Sequence, residues 1–145
     1  MVSQEITRRD DWRGRLASEL ARQHREPFEW GKQDCAIGLA CGVVEAITGV
    51  DLARGYRGKY RSPKAARKLL REAGAHSLAE FVAGFLPQHG HPSQAQIGDI
   101  GIIPDPDSVL GEALCVVDTG TVIVMTDQGH GRRPRADMTA AFKVG

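Results

Sequence analysis

Two residue types in this chain can carry covalent or acid–base chemistry: three cysteines (Cys35, Cys41 and Cys115) and five histidines (His24, His76, His89, His91 and His130). A cysteine attacks as its thiolate and needs a base within hydrogen-bond reach. Cys35 lies in "FEWGKQDC", directly after Asp34, a residue suited to cap a helix, and directly before an apolar run. That spacing predicts a thiol in the first helical turn, where the macrodipole favours the thiolate. Cys41 falls two turns deeper and reads as core. The base has to come from the histidines. His24 ends the first helix on its polar side, and His76 lies in a turn between helices. His89 and His91 form "HGH", and His130 lies in "DQGHGRRPR" beyond a strand. Each reads as a loop histidine. His89 and His91 alone make a weak metal pair, and Cys35 and Cys41 do not form a CxxC, so no metal or cofactor is expected. An odd cysteine count does not describe a disulfide framework.

These residues need elements to position them. Trp12, Leu16 and Leu20 recur every fourth residue, predicting an amphipathic helix over 10–24 that stops at Glu26-Pro27. Residues 35–47 follow as a second helix with no polar stripe except Glu45, hence central; Gly38 and Gly42 suggest close approach of another backbone, and Gly49 ends it. Ser62, Pro63 and Gly74 bracket a third helix. "SLAE" at 77–80 opens a fourth that runs through Phe81, Val82, Phe85 and Leu86 and closes at Pro87. The texture then changes. "DIGII" (99–103), "ALCVVD" (113–118), "TVIVMT" (121–126) and "AAFKV" (140–144) read as short strands, with a tight hairpin at Asp118-Thr119-Gly120. Helices first and an antiparallel sheet second is an α+β arrangement. The helical half covers about 8–87 and the sheet half about 97–145 of a single domain spanning 1–145.

A chain of 145 residues holds one domain with a real core. Hydrophobic content of 41% and charged content of 26% predict a folded, soluble protein, and a net charge of +1 singles out no partner class. "MVSQEITRRDDWRGR" has no apolar core of a signal peptide, and no apolar run reaches a membrane span, so cytoplasmic synthesis without export is expected. Arg54 to Arg71 carries eight basic residues, no acidic one, and Tyr56 and Tyr60 interleaved. Such a stretch can track a nucleic-acid backbone. The near-neutral chain argues instead for a solvated face or one meeting an acidic partner subunit. "RRPR" at 132–135 reads as exposed loop.

"FEWGKQDC", the apolar helix ending "ITGVD", the "YRGKYRS" that follows and the strand led by Gly98-Asp99 together resemble a group of phage-tail, prophage and gene-transfer-agent proteins. That group is distantly similar to the NlpC-type, papain-like cell-wall peptidases. The resemblance covers most of the chain and implies a papain-like domain whose central helix opens on the nucleophile, here Cys35. It places the catalytic histidine near the start of the strand after the GD-led one, where this chain has Ala113 or Leu114. The following strand, "TVIVMT", has no histidine either. The site implied is therefore a vestigial cleft around Cys35, Trp30, Asp34, Ala113 and Leu114, with His130 as the remaining candidate base. Cys115, close to the vacant histidine position, is a candidate to face Cys35 as a disulfide or shared-metal partner. The function implied is a structural component of a virion tail tip, bound to other tail-tip or hub proteins. The alternatives are a tail-associated cysteine peptidase or amidase acting on peptidoglycan through Cys35, and a binding module holding a cell-wall or acyl fragment in the cleft.

Overall fold

The computed structural model describes residues 6–145; the first five residues of the leader reading lie outside it. Helices precede strands: α1 Trp12–His24, a π-helical turn Cys35–Ala40 running straight into α2 Cys41–Thr48, α3 Pro63–Glu72 and α4 Leu78–Ala83. Five strands follow: β1 Ile100–Pro104, β2 Glu112–Val117, β3 Thr121–Thr126, β4 Gly129–Pro134 and β5 Ala140–Phe142. All pairings are antiparallel, in the order β4-β3-β2-β1-β5. The arrangement is α+β. Among the described residues no helix is long and apolar enough to cross a membrane.

The caps follow from the sequence. Ser62 accepts from the Ala65 amide with Pro63 at the first helical position, and Ser77 accepts from the Glu80 amide. Gly49 ends α2 at φ 83°. Helix α4 is shorter than the sequence suggests: it stops at Ala83, with Phe85 and Leu86 in the turn beyond.

Alternation in the strands decides the packing. Ile100, Ile102, Leu114, Val116, Ile123, Ala140 and Phe142 face the helices and share a core with Leu39, Val43, Val44 and Ile47. Cys115, Val117, Val122, Val124 and Ala141 face the other way, where Met138 and Ala95 cover them. A sheet buried on both faces reads as continuous apolar runs, which is how "ALCVV" and "TVIV" look.

Two corrections concern the end of the chain and the central helix. Residues 129–134, including most of "RRPR", form an edge strand rather than a loop. Arg132 pairs with Asp118 at 2.8 Å, Arg133 with Asp137 at 3.0 Å, and Arg135 reaches the Ala95 carbonyl. The stretch read as one α-helix over 35–47 begins instead with a wide turn. The Leu39 amide bonds the Asp34 carbonyl at 3.0 Å and the Cys41 amide bonds the Ala36 carbonyl, both five residues back. Gly38 admits a close approach, its α-carbon lying against the Gln33 backbone. Gly42 admits side chains of α1, Glu19 and Gln23, rather than a backbone.

Candidate functional site

Asp34 organises the start of the central helix. Its carboxylate is 1% exposed. Oδ1 accepts from the amides of Ala36 (3.1 Å) and Ile37 (2.8 Å); Oδ2 accepts from the amide of Gly31 (2.9 Å) and the hydroxyl of Tyr60 (2.5 Å). Four donors on two oxygens satisfy a buried carboxylate without a counter-cation. Tyr60 reaches it because Gly31, at φ 81°, leaves room: any side chain at Gly31 would strike the Tyr60 carbonyl. The Gly58 amide also donates to the Gly31 carbonyl at 2.9 Å. The "YRGKY" loop is thus stitched onto "WGKQDC". This also settles the tyrosines of the basic segment. Tyr60 is buried on Asp34, and Tyr56 packs edge-on against Phe81 at 5.5 Å between centroids, so neither stands free to stack on a base.

Cys35 follows the cap, as expected, but its electrostatics run against activation. Burial pushes the thiol up to about 12, the neighbouring Asp34 carboxylate pushes the same way, and a hydrogen bond from the Leu114 backbone opposes them only in part. Desolvation outweighs the helix terminus. The residue keeps some accessible surface, but that surface opens on an apolar cavity rather than on bulk water. Burial and Asp34 likewise push Cys41 up to about 12, and burial pushes Tyr60 well above its usual range.

The structure chooses between the two positions for the missing histidine. Leu114 faces Cys35 and is buried; Ala113 points to the opposite face of the sheet. Cys115 also points to that opposite face, beside Gly101 and Met138, and all three cysteines are free thiols. The pairing of Cys35 with Cys115 is therefore replaced by two separate buried thiols, because neighbouring residues of a strand alternate faces.

His130 is occupied elsewhere. It lies in β4, not in a loop, and Nε2 sits 3.1 Å from Gln23 Oε1. Gln23 is 1% exposed and its Nε2 faces two acceptors, Glu19 Oε2 at 2.7 Å and the Gly38 carbonyl at 2.8 Å. That fixes its Oε1 as an acceptor and His130 as the donor from Nε2. Burial, then the nearby His24, lowers the His130 pKa. His130 thus fastens β4 to α1 and does not line the cavity that Cys35 lines. The other loop histidines have structural partners: His89 donates to Asp99 at 2.9 Å, and His91 pairs with Ser93 at 2.8 Å. Among the described residues no three His, Cys, Asp or Glu side chains converge on a metal-sized site.

The cavity beside Cys35 measures about 100 Å³. Its wall comprises Trp30, Leu114, Tyr56, Phe81, Phe85 and sixteen further side chains besides Cys35, almost all apolar. Asp34 and Tyr60 touch it but spend their polar atoms on each other. A void of this size forgoes roughly 2 kcal/mol of packing. Gln23, Tyr60 and the half-covered aromatic trio Tyr56, Phe81 and Phe85 are the site residues that sequence reading passed over. Gln23 carried a signal, being a polar residue on the α1 face that holds Leu16 and Leu20; Tyr60 carried none, since its partner lies 26 residues away.

No curated protein matches the chain, and no solved structure does. A family model described as "Domain of unknown function (DUF6950)" matches residues 7–144, so the chain belongs to the DUF6950 family.

Proposed function

We propose that the chain is a papain-like, NlpC-type domain that has lost its catalytic base and serves as a structural component of a phage or phage-like tail tip, held by hub proteins. One observation carries the loss of catalysis. The side chain facing Cys35 from β2 is Leu114, which cannot take a proton, while the only charge beside the thiol is the Asp34 carboxylate. A general base contributes about 10²–10⁴-fold, and an anion beside the thiol works against the thiolate. The tail-tip role rests on the sequence resemblance, and the exposed basic residues of the 54–71 segment support it as a face for an acidic partner.

The alternative is a tail-associated peptidase or amidase in which Cys35 attacks peptidoglycan. Its support is the placement of Cys35 at the opening of the central helix. It requires His130 to leave Gln23 and reach the cavity.

Purified particles separate the readings. Mass spectrometry of intact particles is expected to find the chain at a fixed copy number in the tail fraction; a chain found only free in the lysate contradicts the tail-tip role. Purified protein is expected to release no peptide or amino sugar from peptidoglycan, and the same background should be seen for Cys35→Ala. Turnover that disappears in Cys35→Ala would establish the enzyme instead.

A further inference from the structure

The cavity next to Cys35 has a floor and a mouth. Ile37, Ala40, Val44, Leu78, Ile100 and Leu114 are buried and close it on the side of the central helix and sheet. Leu52, Tyr56, Leu69, Leu70, Phe81 and Phe85 keep solvent exposure and ring the side between α3 and α4. The three aromatics brace one another edge-on or tilted at 5.2–6.3 Å between centroids rather than collapsing into the space. No Lys, Arg, Glu or His lines the wall, and its one acid, Asp34, already accepts four hydrogen bonds. A water molecule needs two to four polar partners, and this wall does not provide them. An apolar space that water does not stabilise is a site for an apolar guest.

We propose that this cavity binds an unbranched aliphatic group of about four to six carbons, the end of an acyl or alkyl chain, entering between α3 and α4 and ending against the Cys35 thiol and Leu114. The size follows from the volume: a cavity of about 150 Å³ takes benzene, and this one measures about 100 Å³. A slim chain fits such a space better than a ring, and the absence of charge on the wall selects a neutral, uncharged portion of the ligand. The site is independent of the tail-tip assignment, since it depends only on the cavity wall.

The test uses the purified full chain and a series of straight-chain alcohols from propanol to decanol, with benzene as the ring control. Thermal midpoints are expected to rise with chain length by about 4 °C at ten times the dissociation constant, to level off near hexanol, and to respond less to benzene. Nuclear Overhauser contacts from the bound alcohol to the Leu114 methyl groups are expected alongside. Ala66→Leu fills the space from α3 and is expected to remove the shift. Leu70→Ala widens the mouth and is expected to move the preferred length upward, which keeps the test decisive if the filling variant does not fold. No midpoint rise for any alcohol, equal shifts in Ala66→Leu, or contacts confined to surface residues would each overturn the proposal.

Discussion

Two aspartates, Asp34 and Asp99, each open a secondary-structure element and are each about 98–99% buried, yet they are neutralised in opposite ways. Asp34 rests on four neutral donors, three of them amides within three residues of it. Asp99 sits in a charged setting: Arg8 pairs with it at 3.0 Å, His89 donates at 2.9 Å, and the Val144 and Gln96 amides complete the shell. Arg8 also donates to the carbonyls of Val144 and Ile97. The first carboxylate shapes a loop; the second ties residues 8, 89, 99 and 144 into one knot. A "DC" and a "GD" therefore look alike as motif letters and differ in what they hold.

Removing each acid sharpens the contrast. Asp99→Ala strands the Arg8 guanidinium and is expected to cost about 4 kcal/mol, because a buried charge loses its partner. Asp34→Ala leaves only neutral donors unmet and is expected to cost about 3 kcal/mol. Urea titration gives both values; an Asp34→Ala loss clearly exceeding that of Asp99→Ala would break the comparison.

The thiol beside Asp34 reports the same setting kinetically. Moving its pKa from 9.0 to about 12 cuts the thiolate about a thousandfold at neutral pH. Intrinsic nucleophilicity recovers part of that, leaving exchange with a small disulfide about 50-fold slower than for free cysteine. A rate equal to or above that of free cysteine would mean that the helix terminus outweighs burial. Tyr60→Phe removes one charge-assisted donor from Asp34 and is expected to cost about 1.5 kcal/mol in the same titration.

The smallest effect is expected at His130. Its pKa lies below that of the unfolded chain, so the unfolded state takes up the proton first. Its contribution is whole above the unfolded value near 6.5 and is lost as pH falls from there through the folded value. Partial exposure and solvent screening limit it to a few tenths of a kcal/mol. Comparing His130→Gln with the parent at pH 7.5 and 5.5 should show a weaker acid-side loss in the variant; identical losses would remove His130 as the source.

Most of the elements were legible because each signal was local. Ser62-Pro63, Ser77, Gly49 and the β-branched runs each state their structure within a few residues. Strand β4 was hidden because "GHGRRP" has no apolar alternation; it is an edge strand held by Met125 to His130 pairing and by arginines that reach across to Asp118 and Asp137. The cavity was hidden for another reason. Its wall collects side chains from residue 30 to residue 114, and no short window contains more than a part of it.

The wide turn at Cys35–Ala40 has a consequence for how length can vary in this family. A π turn accommodates one residue more than an α-helical turn would over the same axial distance. Deleting one residue between Asp34 and Cys41 would restore ordinary α-helical spacing and rotate the helix beyond it by about 100°. Val43, Val44 and Ile47 would then leave the sheet, and exposed Glu45 would swing toward the core. Insertions and deletions should accordingly be tolerated in the β1–β2 loop, 105–111, and be rare within 34–49.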